Sequence, residues 1–160
     1  MEERMNLTFK IRMILVAVAI SSVLLSPQCF AFDKNGKGNI SVVCTGFHND
    51  TGMAMISLFG SKDGFPGNTE KALRLAEAKI MDGKAAFIFK DVPYGTYAIS
   101  VYHDENANKI LDTGWLGIPK EGVGASNNQK SKFGPPSFKQ SKFVFGNPEL
   151  TVNIETRYVN

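Results

Sequence analysis

The sequence predicts an all-β domain: an antiparallel two-sheet sandwich of about seven strands, immunoglobulin-like in layout, with a closed barrel as the second architecture. Three observations carry this. Short runs of β-branched and aromatic residues alternate with period two, as a half-buried strand requires. Clusters of Gly, Pro, Asn and Asp punctuate those runs. Residues 32–160 contain no long helical periodicity, and they are enough chain for one hydrophobic core but not two.

The first 31 residues are of another kind. Lys10 and Arg12 precede Met13–Leu25, a largely apolar stretch of 13 residues. This is shorter than the ~20 residues a membrane-spanning helix needs, and it has the form of a secretory signal. Cys29-Phe30-Ala31 places small residues at the positions a signal peptidase reads, so cleavage is expected after Ala31. Leu25–Cys29 lacks the small residue before the cysteine that a lipoprotein box needs. The expected product is a single domain over residues 32–160, periplasmic or secreted, without a membrane span. Residues 1–31 hold three of the 18 Lys and Arg and two of the 15 Asp and Glu, so the mature chain carries a net charge of +2. Its lysines are scattered singly, which gives no electrostatic footprint for nucleic acid. With Cys29 removed, Cys44 stands alone as a small buried hydrophobe. With Cys29 retained, a Cys29–Cys44 bridge is open to an exported protein.

Taken in order, Asn39–Phe47 and Met53–Phe59 are strand-like and flank the turn-forming His48–Gly52, so they are expected to form a first hairpin. Thr69–Met81 carries Ala72, Leu73, Leu75, Ala76 and Ile80 at helical spacing, yet reads equally as an excursion with an edge strand. Lys84–Phe89 and Thr96–His103 flank Asp91-Val-Pro-Tyr-Gly95 and are expected to form a second hairpin, with Phe87, Tyr97, Ile99 and Val101 in the core. Ser141–Phe145 and Leu150–Tyr158 close the chain, the latter burying Val152 and Ile154. Between them lies Asp104–Ser137, rich in Gly, Pro and Asn. A loop of that length in a compact domain is usually functional or disordered. Its Trp115, Leu116, Ile118, Val123 and Phe133 are expected to pin it to the sandwich.

That loop holds the chemically pointed residues. Asp104, Asn106, Asn108 and Asp112 place oxygen-bearing side chains at positions 1, 3, 5 and 9 of one segment, with the Ile110 carbonyl at position 7. Hard oxygen donors at alternate positions of a curled loop are what calcium takes. Lys109 stands where such loops usually have glycine, and Trp115 stands where they have a bidentate acid, so any affinity is expected to be weak, roughly millimolar. The same residues also form metal-free Asx turns. Trp115, Glu121 and Phe133 are candidates to face a ligand: a small molecule, a glycan or an envelope protein.

There is no nucleophile elbow, phosphate-binding loop or dinucleotide fingerprint. Two functional readings result. The first is a non-catalytic binding or structural module of the envelope or extracellular space. The alternative is a hydrolase using the loop carboxylates Asp104 and Glu121.

The segment Phe89–Asp112, continued by Leu116–Asn127 and Phe133–Phe138, resembles a family of uncharacterised bacterial exported proteins, the domain of unknown function 2141 (DUF2141). The resemblance spans about Gly38 to Tyr158 and implies an exported β-protein with no established activity. Val92–Asp112 is also similar to prealbumin-like (Cna-B-type) adhesin sandwiches. In those a P-x-G-x-Y hairpin leads into a D-x-N-x-N-G calcium loop. This implies a prealbumin-like layout and the same Asp104, Asn106, Asn108 and Asp112 ligand positions, with Lys109 departing from the glycine.

Overall fold

A computed structural model describes residues 36–129 and 134–159. The expected signal (residues 1–31), Cys29 and Phe133 lie outside them. The described residues form eight strands: β1 (Lys37–Thr45), β2 (Met53–Phe59), β3 (Arg74–Lys79), β4 (Lys84–Pro93), β5 (Gly95–Asp104), β6 (Val123–Ala125), β7 (Phe143–Phe145) and β8 (Glu149–Glu155). A short helix, α1, covers Phe138–Ser141.

The strands make the two sheets of a sandwich. One has the order β4-β1-β8; the other runs β3-β2-β5-β6, with β7 also paired to β5. Most pairings are antiparallel, as expected. The exception is β1 with β8, which are parallel with Val42 opposite Val152 and Cys44 opposite Ile154. Period-two alternation explains the core: Ile40, Val42 and Cys44 of β1 are fully buried, as are the inward residues of β2, β5 and β8. Tyr97, Ile99, Val101, Val152 and Ile154 are buried as expected, while Phe87 is only half-buried at the core's margin. Cys44 is a free thiol within this core, and burial pushes its pKa up to about 12.

Two expectations about pairing are corrected. β1 and β2 do not form a hairpin, because β1 pairs with β4 and β8 while β2 pairs with β3 and β5. β4 and β5 likewise lie in different sheets. Both turns are arches that carry the chain across the sandwich. In the residues 69–81, the edge-strand reading is the one observed. A 3₁₀ turn at Thr69–Lys71 leads into β3, where Ala76 and Ala78 point inward and Leu75 is exposed.

On its outer face, the larger sheet buries Phe59 beneath an aromatic ladder. Phe59 meets Phe65 edge-on at 5.3 Å, and Phe65 meets Phe138 of α1 at 5.8 Å. Ser126 bolts the C-terminal end of the long excursion to β5: its Oγ accepts from Ile99 N–H at 2.9 Å and donates to the Ser141 carbonyl at 2.6 Å. The described part of the excursion is therefore held by β6 and these polar ties. Among the described residues no helix is long and apolar enough to cross a membrane.

Candidate functional site

β5 delivers two buried polar side chains, His103 and Asp104, to its C-terminal end. His103 follows the inward parity of Ile99 and Val101 and is completely buried. Its Nε2 lies 2.7 Å from the Thr51 carbonyl and its Nδ1 lies 2.6 Å from the Tyr158 hydroxyl. A carbonyl only accepts, so Nε2 carries a proton and donates to Thr51, while Nδ1 shares a hydrogen bond with the Tyr158 hydroxyl. The Tyr158 oxygen in turn accepts from His48 N–H at 3.1 Å, and its ring stacks on His48 with centroids 3.4 Å apart. The 48–52 turn and the C-terminal segment are thereby clasped to the base of the loop. The approach is close: a Cβ on Gly52, whose φ is +72°, would fall 1.9 Å from the Asp104 carbonyl oxygen.

Asp104 takes the opposite parity yet is only 1 % exposed, because the loop curls over it. Its Oδ1 accepts from Asn108 N–H at 3.1 Å and its Oδ2 from Lys109 N–H at 2.8 Å. Asn106 Oδ1 also accepts from Asn108 N–H, and Asn108 Oδ1 accepts from Ile110 N–H, as successive Asx turns do. Both amide groups then donate to Asp112, from Asn106 at 2.8 Å and from Asn108 at 3.3 Å. The four side chains singled out in the sequence are thus brought together. The missing glycine does not prevent the tight turn: Lys109 adopts a left-handed φ of +63°, and Ala107 one of +58°. Lys109 Nζ bonds Glu77 Oε1 of β3 at 2.7 Å, tying the loop across the sheet edge.

Glu121 is the second staple. It is 5 % exposed, its Oε1 accepts from Glu105 N–H at 3.0 Å, and its Oε2 accepts from Asp112 N–H at 2.9 Å. One carboxylate thereby joins the two ends of the turn.

Beyond Asp112 the chain forms a finger. Lys120 N–H donates to the Asp112 carbonyl at 2.9 Å and Gly114 N–H to the Ile118 carbonyl at 2.7 Å. Thr113 and Pro119 face each other as a β-bridge. The tip is a 3₁₀ turn, Trp115–Gly117, with Leu116 at φ +62°. Trp115, Leu116 and Ile118 are 86 %, 76 % and 48 % exposed, and Ile110 beside them is also exposed. This corrects the expected pinning. These apolar residues do not hold the loop to the sandwich; the buried carboxylates of Asp104 and Glu121 do. Glu121 accordingly lies in the loop's interior, apart from the surface that Trp115 presents.

Tyr102, which the sequence reading passed over, borders a crevice of about 420 Å³ between β2, β3 and the loop, with Met55, Leu75, Glu77 and Lys109. Burial first, and then the negative charges of Asp104, Glu121 and Glu77, push its phenol from 10.0 up to about 12. The folded state therefore favours the neutral phenol. That contribution to stability is fully present below the unfolded value near 10 and is lost as the pH rises through about 12. Burial also raises Tyr97 and Tyr158, so a phenolate absorbance titration is expected to show several late-titrating tyrosines, of which Tyr102→Phe removes the one near 12. A high-pH titration that Tyr102→Phe leaves unchanged would mean that this ring is neither buried nor surrounded by those charges.

A family model described as "Uncharacterized protein conserved in bacteria (DUF2141)" matches residues 42–153. The chain belongs to this family. The match covers more than half of the chain and includes β2 to β7, the stapled turn and the finger. No curated protein and no solved structure matches the chain.

As to a metal, the described residues contain no cluster of three or more His, Cys, Asp or Glu side chains placed to hold one. Asn106 and Asn108 extend the donor set, since their amides already converge on the Asp112 carboxylate. As hydrogen-bonded here, those amides present NH2 groups to Asp112, while their oxygens accept the Asn108 and Ile110 N–H groups. Asp104, Asn106, Asn108 and Asp112 are of the hard-oxygen type that calcium takes, and in this turn their oxygens are engaged by its own hydrogen bonds.

Proposed function

We propose that this protein is an exported, non-catalytic binding module that meets its partner through the finger Asp112–Lys120. One observation carries the reading. Both carboxylates offered for hydrolysis, Asp104 and Glu121, are buried and accept from backbone N–H groups. The exposed tip of the same loop carries the apolar side chains of Trp115, Leu116 and Ile118. A general acid or base must reach its substrate's proton within about 3 Å. Side chains that staple their own backbone serve instead to hold a surface in place, as in binding loops on rigid scaffolds.

The test uses the exported protein, whose new N-terminus is expected at Phe32. A broad screen of ester, glycoside and peptide substrates is expected to give no turnover. Hydrolysis that Glu121→Gln abolishes while the far-UV circular dichroism stays unchanged would overturn the reading in favour of the hydrolase. A second reading, calcium at Asp104, Asn106, Asn108, Ile110 and Asp112, is supported by the gathering of four oxygen-bearing side chains in one turn, whose hydrogen bonds the ion would replace. In that reading the ion organises the finger's base and does no chemistry.

A further inference from the structure

We infer that the finger inserts its tip into a lipid surface, with Trp115, Leu116 and Ile118 entering the boundary between headgroups and acyl chains. The inference rests on the reading of the finger as the contact surface and names what that surface meets. Three features point to lipid.

The first is shape. The apolar side chains crown a tight turn and stand 86 %, 76 % and 48 % exposed. A convex tip suits a medium that yields around it.

The second is the backbone. Stripping water from polar groups is the main obstacle to inserting a loop. Here three of the finger's backbone donors, the amides of Gly114, Gly117 and Lys120, are satisfied within it by the Ile118, Gly114 and Asp112 carbonyls.

The third is charge. Thr113 to Lys120 contains no acidic residue. Lys120 makes no ion pair among the described residues, and its stem runs along the finger, 3.6 Å from where a Cβ on Gly114 would stand. At the finger's base the negative groups face inward: Asp112 meets the Asn106 and Asn108 amides, and Glu121 meets backbone N–H groups. Lys109 is paired with Glu77. From Thr113 to Lys120 the finger therefore presents one cation behind an indole and no acid. Trp and Lys in that arrangement are residues of the membrane–water interface.

The chain has a single tryptophan, so Trp115 reports on the finger directly. In buffer its emission is expected to be that of a solvated indole, fully quenched by iodide. Vesicles of mixed phosphatidylcholine and phosphatidylglycerol should shift the emission to the blue, protect it from iodide and carry the exported protein in flotation. Phosphatidylcholine alone should bind about five-fold more weakly, the effect of one cation near an anionic surface. Lys120→Gln should abolish that difference. Trp115→Ala should weaken flotation about ten- to hundred-fold, the loss expected for one large apolar side chain. Leu116→Asn is the safer second variant, because asparagine tolerates the left-handed turn while removing the apolar group. An indole already blue-shifted and protected in buffer would sink the exposed finger itself, and the binding reading with it. An exposed indole that vesicles leave unchanged, or variants that float like the wild type, would overturn lipid as the partner and leave the binding reading standing.

Discussion

Asp104→Ala is expected to destabilise the domain by about 3 kcal/mol, because two hydrogen bonds to a buried carboxylate are lost together, each contributing roughly 1.5–3 kcal/mol. Part of that loss is offset, since the variant no longer desolvates a charge. For a domain of this size the melting temperature should fall by roughly 10 °C. Asp104→Asn keeps one acceptor and should lose about half as much. Thermal melts by far-UV circular dichroism measure both. An alanine variant that melts with the wild type would mean that the turn adds nothing to the fold. The same melts decide the metal. An ion that binds only the folded state stabilises it by RT ln(1 + [L]/Kd), about 1.4 kcal/mol at ten-fold excess. If calcium occupies the turn with roughly millimolar affinity, 10 mM calcium should raise the wild-type midpoint by a few degrees over EDTA and leave Asp104→Ala unmoved. If the Asx turns alone organise the loop, the wild type should melt identically in both, with the alanine variant still low.

Ile99→Ala should cost about 2–5 kcal/mol, the range for truncating a buried aliphatic. Ile99 is fully buried at the centre of β5, opposite Leu58, and its N–H also holds Ser126. The cavity is flanked by paired strands, which limits collapse and places the expected cost in the upper part of that range. Phe87→Ala is the matched control: its ring is larger but half-buried at the margin of the core, so its loss per atom removed should be smaller. Urea titrations of the two variants compare them directly. An Ile99→Ala midpoint equal to the wild type would put the wrong face of β5 in the core.

The candidate site was legible as a spacing and illegible as a set of jobs. Asp104, Asn106, Asn108 and Asp112 stood out because alternate oxygen-bearing residues in a curled segment converge, and they do converge around Asp112. Glu121 offered no local signal for its role as a staple. Its partners, Glu105 and Asp112 N–H, sit 16 and 9 positions away, and only closure of the finger brings them within reach. Glu77 is further still from Lys109, on a different strand. Trp115, Leu116 and Ile118 were misplaced for a related reason. Apolar residues in a loop normally cover a core edge, and nothing in the order of residues distinguishes such a plug from a tip. The difference lies in the polar staples, which hold the loop without them.

The sequence by itself determined six of the eight strands, their directions of alternation and most of the buried set, because period two is a property of each strand alone, while β3 stayed open between helix and strand and β6 lay hidden in the long loop. It also determined where the chain reverses, through Gly, Pro, Asn and Asp. It did not determine which strands pair. Residues 46–52 and Pro93–Gly95 look like hairpin turns, but both join strands of opposite sheets. A reversal within a sheet and an arch between sheets need the same turn formers and the same alternating flanks. They differ in what covers the apolar face. In a hairpin the two flanks share one face of one sheet. In an arch each flank covers the other across the core, and hydrogen bonds go to distant strands such as β8, parallel to β1. That choice depends on the hydrogen-bonding edges and apolar faces of all eight strands at once, so it exists only in the tertiary structure.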